Sequence, residues 1–169
     1  MRRPIVTVMA VYSPTVVTPS LAESQAQLRE QLSLLADFWH SRSELELSFH
    51  PGPGRWSRKE ILGHLIDSAL NNHRRIVGAS LAPPPHQLRP YDQDAWVRAA
   101  DYQHLPCAEL LTLWTSLNEL MLHLVERLPP HLLDHEYLTL NGNPTTLHWL
   151  ISDYVLHLEH HVRQIIHGD

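Results

Sequence analysis

Thirteen prolines, gathered into a few joints, cut this 169-residue chain into long segments with apolar side chains at three- and four-residue steps. A proline lacks the amide hydrogen and clashes with the preceding turn, so each joint ends whatever helix reaches it. The first segment spans about residues 21–40, with Leu28, Leu32, Leu35, Phe38 and Trp39 on one stripe. His50-Pro51-Gly52-Pro53-Gly54 then excludes any regular element. The second segment has the clearest start: Ser57 and Glu60 form a capping box, and Trp56 and Ile61 stand where a hydrophobic staple would close. It is expected to continue to about residue 76. A long joint over residues 81–105 opens with Pro83-Pro84-Pro85, and loops of that length in a compact domain are functional or mobile. The third segment, about residues 106–128, carries Leu110, Leu113, Trp114, Leu117, Leu120, Met121 and Leu124 before Pro129-Pro130. The fourth is expected to start near Pro144, with Asn143 or Thr145 as cap, and to run almost to Asp169. No strand pattern of comparable length is present, so the reading is all-α, and helices with one apolar stripe each are bundle parts.

Hydrophobic residues make up 43% and charged residues 18%, enough to bury a core in one domain. Thirteen Lys and Arg against eighteen Asp and Glu give a net charge of -5 and no basic run, which argues against a nucleic-acid partner. No apolar run reaches the roughly eighteen residues a membrane span needs. The single cysteine, Cys107, cannot close an internal disulfide and fits a reducing, cytoplasmic compartment. At the start, Arg2 and Arg3 precede an apolar run over residues 5–11, and Ser20-Leu21-Ala22 has the small residues of a cleavage site. Pro14 interrupts that run, and Ser20 with Glu23 reads equally as a capping box. Residues 1–19 are therefore expected to be a loosely attached arm, and residues 20–169 one bundle domain.

Fourteen histidines are an unusual number, and their spacing decides what they mean. His157 and His161 stand four apart, neighbours on a helix and suited to one metal ion. With His157 at zero on a helical wheel, Leu150, His161, Tyr154, Leu147, Ile165 and Leu158 fall between roughly 20° and 100°. The pair thus flanks the apolar stripe, while His160, Glu159, Arg163 and Asp153 fall on the other side and His148 about half a turn away. In the second helix, His64 stands beside Ile61 and Leu65 and shares a face with Ser68 and Asn71, whereas His73 points elsewhere. Alone, His64 reads as a packed core histidine; opposite an inward pair, it is a third ligand. Glu159 does not make a zinc-protease motif, which needs its glutamate directly after the first histidine. Asp67, three residues after His64, can orient it or hold a proton, and Asn71 can bind substrate.

Three groups of residues together resemble the DinB/YfiT-like superfamily. Pro51-Gly52-Pro53-Gly54-Arg55-Trp56-Ser57, continuing to His64 and Asp67, is similar to its second-helix signature. Tyr91-Asp92-Gln93-Asp94-Ala95-Trp96 is similar to its inter-helix segment, and Thr146-Leu147 with His157-Leu158-Glu159-His160-His161-Val162-Arg163-Gln164-Ile165 to its closing helix. The resemblance covers roughly residues 20–167 and implies an up-down-down-up four-helix bundle. It also implies one divalent ion (zinc, nickel or similar) held by His64, His157 and His161, and a homodimer. Family members include metal-dependent hydrolases and thiol-dependent S-transferases and isomerases.

Three imidazoles leave coordination positions open, the catalytic arrangement. An ion there would activate water for hydrolysis of a small molecule, or bind a low-molecular-weight thiol for transfer. The sequence does not choose between these. The alternative is a metal- or small-ligand-binding protein of the stress response without turnover.

Overall fold

The computed structural model describes residues 18–139 and 141–168, so the arm expected at the N-terminus lies, except for Thr18 and Pro19, outside the described residues. Four long helices carry the fold: α1 (Leu21–His40), α3 (Arg58–Leu81), α5 (Cys107–Glu126) and α6 (Leu147–His167). Two short ones, α2 (Glu44–Ser48) and α4 (Gln93–Ala100), lie in the connections. The capping boxes form as the sequence indicates. Ser57 Oγ accepts from Glu60 N at 3.2 Å while Glu60 Oε2 accepts from Ser57 N at 2.8 Å. Ser20 and Glu23 make the same reciprocal pair at the head of α1.

The directions of the helices follow from their cross-links. Ser24 meets Ser152, and Gln27 meets Glu159, so α1 and α6 run parallel. Trp39 Nε1 donates to the Cys107 carbonyl and Arg29 pairs with Glu126, so α5 runs antiparallel to α1. Arg58 reaches the Ile165 carbonyl and His64 meets His157, so α3 runs antiparallel to α6. The order is up-down-down-up. Parallel α3 and α5 cannot be joined by a tight turn, which accounts for the long connection between them; the chain must return the full length of the bundle.

Leu35, Leu62, Leu65, Leu110, Trp114, Leu147, Leu158 and Ile165 are fully buried between the four long helices. Each such side chain contributes about 1.5–3 kcal/mol through removal from water. Trp39 and Trp114 are buried and Trp149 is half-buried, in keeping with packing roles. Tyr154 enters this core because its hydroxyl donates to Asn118 Oδ1 at 2.6 Å, satisfying two buried polar groups at once.

The main difference from the sequence reading is at the start of α6. Pro144–Thr146 is a strand, β3, and the helix starts at Leu147 with Thr146 Oγ1 accepting from Trp149 N at 3.1 Å. β3 pairs antiparallel with β2 (Glu136–Leu138), which pairs parallel with β1 (His86–Gln87). Proline at a strand's first residue and two β-branched threonines suit that ladder. This small sheet closes the end of the bundle where α3 and α5 finish. The second helix also outlasts its expected end, reaching Leu81 just before the three prolines.

Candidate metal centre

His64 lies near the head of α3, and α6, running the other way, brings His157 and His161 opposite it. His64 is fully buried, the other two partly so. The ring centroids are 5.1 Å apart for His64 and His157, 4.8 Å for His64 and His161, and 4.6 Å for His157 and His161. Their candidate ligand nitrogens all lie within 4.8 Å of one another. His160 and His148, on other faces of α6, and His73 on α3 do not belong to this group.

The donor set fits a metal ion. Two imidazole nitrogens on one tetrahedral ion, each about 2.0–2.1 Å from it, would be about 3.3 Å apart; His64 Nε2 and His157 Nε2 are 3.2 Å apart. His161 Nδ1 donates to Gln164 Oε1 at 2.9 Å, which fixes the tautomer and leaves Nε2 with its lone pair. All three rings are held neutral, the form that ligates. Burial, then the neighbouring imidazoles of His161 and His157, push His64 down to about 2. Burial, then His161 and His160, push His157 down to about 3. His161 is lowered too, by burial, with the Gln164 bond working against the shift.

Beside the cluster opens a cleft of about 450 Å³, reached through His161 and Gln164 and walled by Phe49, Trp56, Arg55 and Arg58. The Trp56 ring also lies 5.4 Å from the His64 ring, so the staple residue of α3 forms one side of the centre.

Asp67 is buried one turn beyond His64, its Oδ1 accepting from the Tyr102 hydroxyl at 2.7 Å and its Oδ2 without a partner. Burial raises the Asp67 carboxyl above the usual range, with the tyrosine bond opposing. Asn71 donates to the Asp67 carbonyl at 2.8 Å and stands about 10 Å further along α3, two helical turns from His64. Sequence reasoning missed Tyr102 and Gln164. Gln164 was signalled by its place three residues after His161 on one helix face. Tyr102 had no local signal, being 35 positions from its partner. It fits only because Gly63 has no side chain: a Cβ there would stand 2.1 Å from Tyr102 Cδ2.

Comparison with known proteins agrees with the fold. A protein of Halalkalibacterium halodurans named "Putative metal-dependent hydrolase" is 29% identical over 125 residues, 74% of this chain and 72% of the relative. YfiT from Bacillus subtilis, described as "a probable metal-dependent hydrolase with an unusual four-helix bundle topology", superposes with a TM-score of 0.79 at 21% identity, covering 92% of this chain and 89% of that one. A mycothiol-dependent maleylpyruvate isomerase superposes with a TM-score of 0.69 at 16% identity, over 85% of this chain and 60% of that one. The DinB superfamily matches residues 27–165, through all four long helices and the three histidines; the chain belongs to the DinB superfamily.

Proposed function

We propose that the protein is a metal-dependent enzyme that hydrolyses a small molecule at His64, His157 and His161. The observation that carries this reading is three neutral imidazoles converging from two helices beside an open cleft. A divalent ion held by these nitrogens would supply Lewis-acid polarisation and water activation near neutral pH. The chain's own residues do the rest. Gln164 orients the His161 ring, and Trp56 closes the dry side of His64. Asp67, one turn from His64, is held by the Tyr102 hydroxyl rather than by the His64 ring, whose Nδ1 has no partner among the described residues, while Asn71 ties the Asp67 turn in place. Phe49 and Trp56 with Arg55 and Arg58 suit a substrate with an apolar body and an anionic group.

A second reading, thiol-dependent transfer, draws support from the fold shared with the mycothiol-dependent isomerase. The thiol would come from outside the chain. Cys107 is buried, and burial with the neighbouring Glu44 pushes its thiol up to about 12, the reverse of a reactive thiolate.

The test is turnover of an ester and amide panel by protein loaded with zinc or nickel, with and without an added thiol. Metal-dependent hydrolysis without thiol, falling to background in His157→Ala, is the expected result. Turnover only with thiol would select transfer. Stoichiometric metal binding with no turnover on either arm would leave a binding protein and overturn the enzyme reading.

A further inference from the structure

We propose that the sheet end of the bundle carries an anion-binding pocket for a phosphate- or carboxylate-bearing small molecule, separate from the histidine centre. A cavity of about 340 Å³ opens there between the last turns of α3, the segment around β1, and Tyr137 of β2. Its wall includes Arg74, Arg75, Arg89, His86 and Asn71, and no aspartate or glutamate among the described residues lines it. A chain with a net charge of -5 thus gathers three guanidiniums around one concavity. Like charges so placed repel one another, and a bound anion relieves that repulsion. Guanidinium groups stay charged at any working pH and match the planar oxygens of carboxylate and phosphate.

Two details mark the pocket as built. Arg75 is held in place at its inner side, Nη1 donating to Asn72 Oδ1 at 3.0 Å and its own carbonyl accepting from Tyr137 Oη at 2.5 Å. Yet among the described residues Arg75 Nη2 is buried with no acceptor and His86 Nε2 is buried with no partner. A buried donor lacking an acceptor, as Arg75 Nη2 is, is uncommon in native proteins, and an incoming anion would supply the acceptor. The acidic group acting on Arg75 across the helix interface is Asp153 of α6.

The pocket is not an extension of the metal centre. Arg75 lies eleven residues after His64, about 16 Å along α3, and the cleft beside the histidines shares no lining residue with it.

The experiment is calorimetric titration of inorganic phosphate, and separately of succinate, into chelator-treated full-length protein at low ionic strength. Saturable binding of one ion per chain is expected, weakened by added salt. The arm that binds more tightly identifies the phosphate or the carboxylate source. Arg74→Gln and Arg89→Gln alter exposed side chains and should leave the helical circular dichroism unchanged. Each should weaken binding roughly tenfold, since charge-assisted hydrogen bonds of this kind are lost. His157→Ala should bind as the parent does. Absence of saturable binding by either ion, affinity unchanged in Arg74→Gln and Arg89→Gln, or loss of binding in His157→Ala would each overturn the proposal. The last would assign the anion to the histidine cluster instead.

Discussion

At the scale of single residues, the site turns on which histidines face which way. His64, His157 and His161 share one cluster, while His73 and His148 are half-buried elsewhere and His160 is exposed. Replacing any one of the three with Ala removes a third of the nitrogen donors, and two imidazoles hold a labile divalent ion poorly. After dialysis against a weak chelator, those variants should retain little metal. His73→Ala, His148→Ala and His160→Ala should retain the parent's content. His148 Nε2 bonds the Pro19 carbonyl at 2.9 Å, so its loss touches the head of α1 rather than the centre. Elemental analysis of the six variants decides the matter; metal retained by His161→Ala and lost by His160→Ala would reverse the assignment.

At the scale of elements, α3 is positioned by one close approach. Gly63 sets its bare backbone against the ring of Tyr102, in the short turn Tyr102–His104, and the tyrosine hydroxyl then reaches Asp67. Helix propensity alone favours Gly63→Ala by about 1 kcal/mol. The contact decides otherwise. A methyl 2.1 Å from a ring carbon must displace the turn, and overpacking of this kind costs about 1–3 kcal/mol. Gly63→Ala should therefore lower the melting temperature, whereas in a Tyr102→Ala background the same change should be neutral or stabilising. Equal effects in both backgrounds would show that the ring contact is not responsible.

At the scale of the whole molecule, three buried neutral imidazoles couple stability to pH. In the unfolded chain they bind protons near pH 6.5, but His64 and His157 are pushed down to about 2 and about 3 in the fold and His161 is lowered as well. Below about pH 6.5 the unfolded state binds more protons than the folded one, so stability is full above that pH and falls as pH drops toward 3. His64 and His157 each contribute a slope approaching about 1.4 kcal/mol per pH unit in that window, and His161 adds in the same direction. Urea titrations of metal-free protein at pH 7.5, 6 and 5 should show this loss, and a triple variant with His64, His157 and His161 replaced by Gln should show much less. We also infer a homodimer from the family resemblance, in line with Leu113 and Leu120 standing exposed two turns apart on α5. Light scattering at micromolar concentrations should give twice the 19.5 kDa chain mass; a monomer mass throughout would refute it.

The long helices were determined locally, and so the sequence carried them. Capping serines, apolar periodicity and prolines act within a few residues, which is why α1 is found at the very bounds its pattern indicates. The inward direction of His157 and His161 was likewise a matter of angle on one helix. Their meeting with His64 was only implied, because a wheel gives a direction and not a partner. The antiparallel pairing of α3 and α6 supplied it. What no local pattern held were contacts across long separations: Tyr102 with Asp67, the strand at Pro144–Thr146, and the arginines gathered at the sheet end. A three-residue strand gains its stability from a neighbouring strand rather than from its own propensity. In the same way, a charge cluster assembled from α3 and the segment around β1 has no spacing to read. Those features exist only once the bundle has closed, because the packing of α3 against α5 and α6 is what brings their residues together.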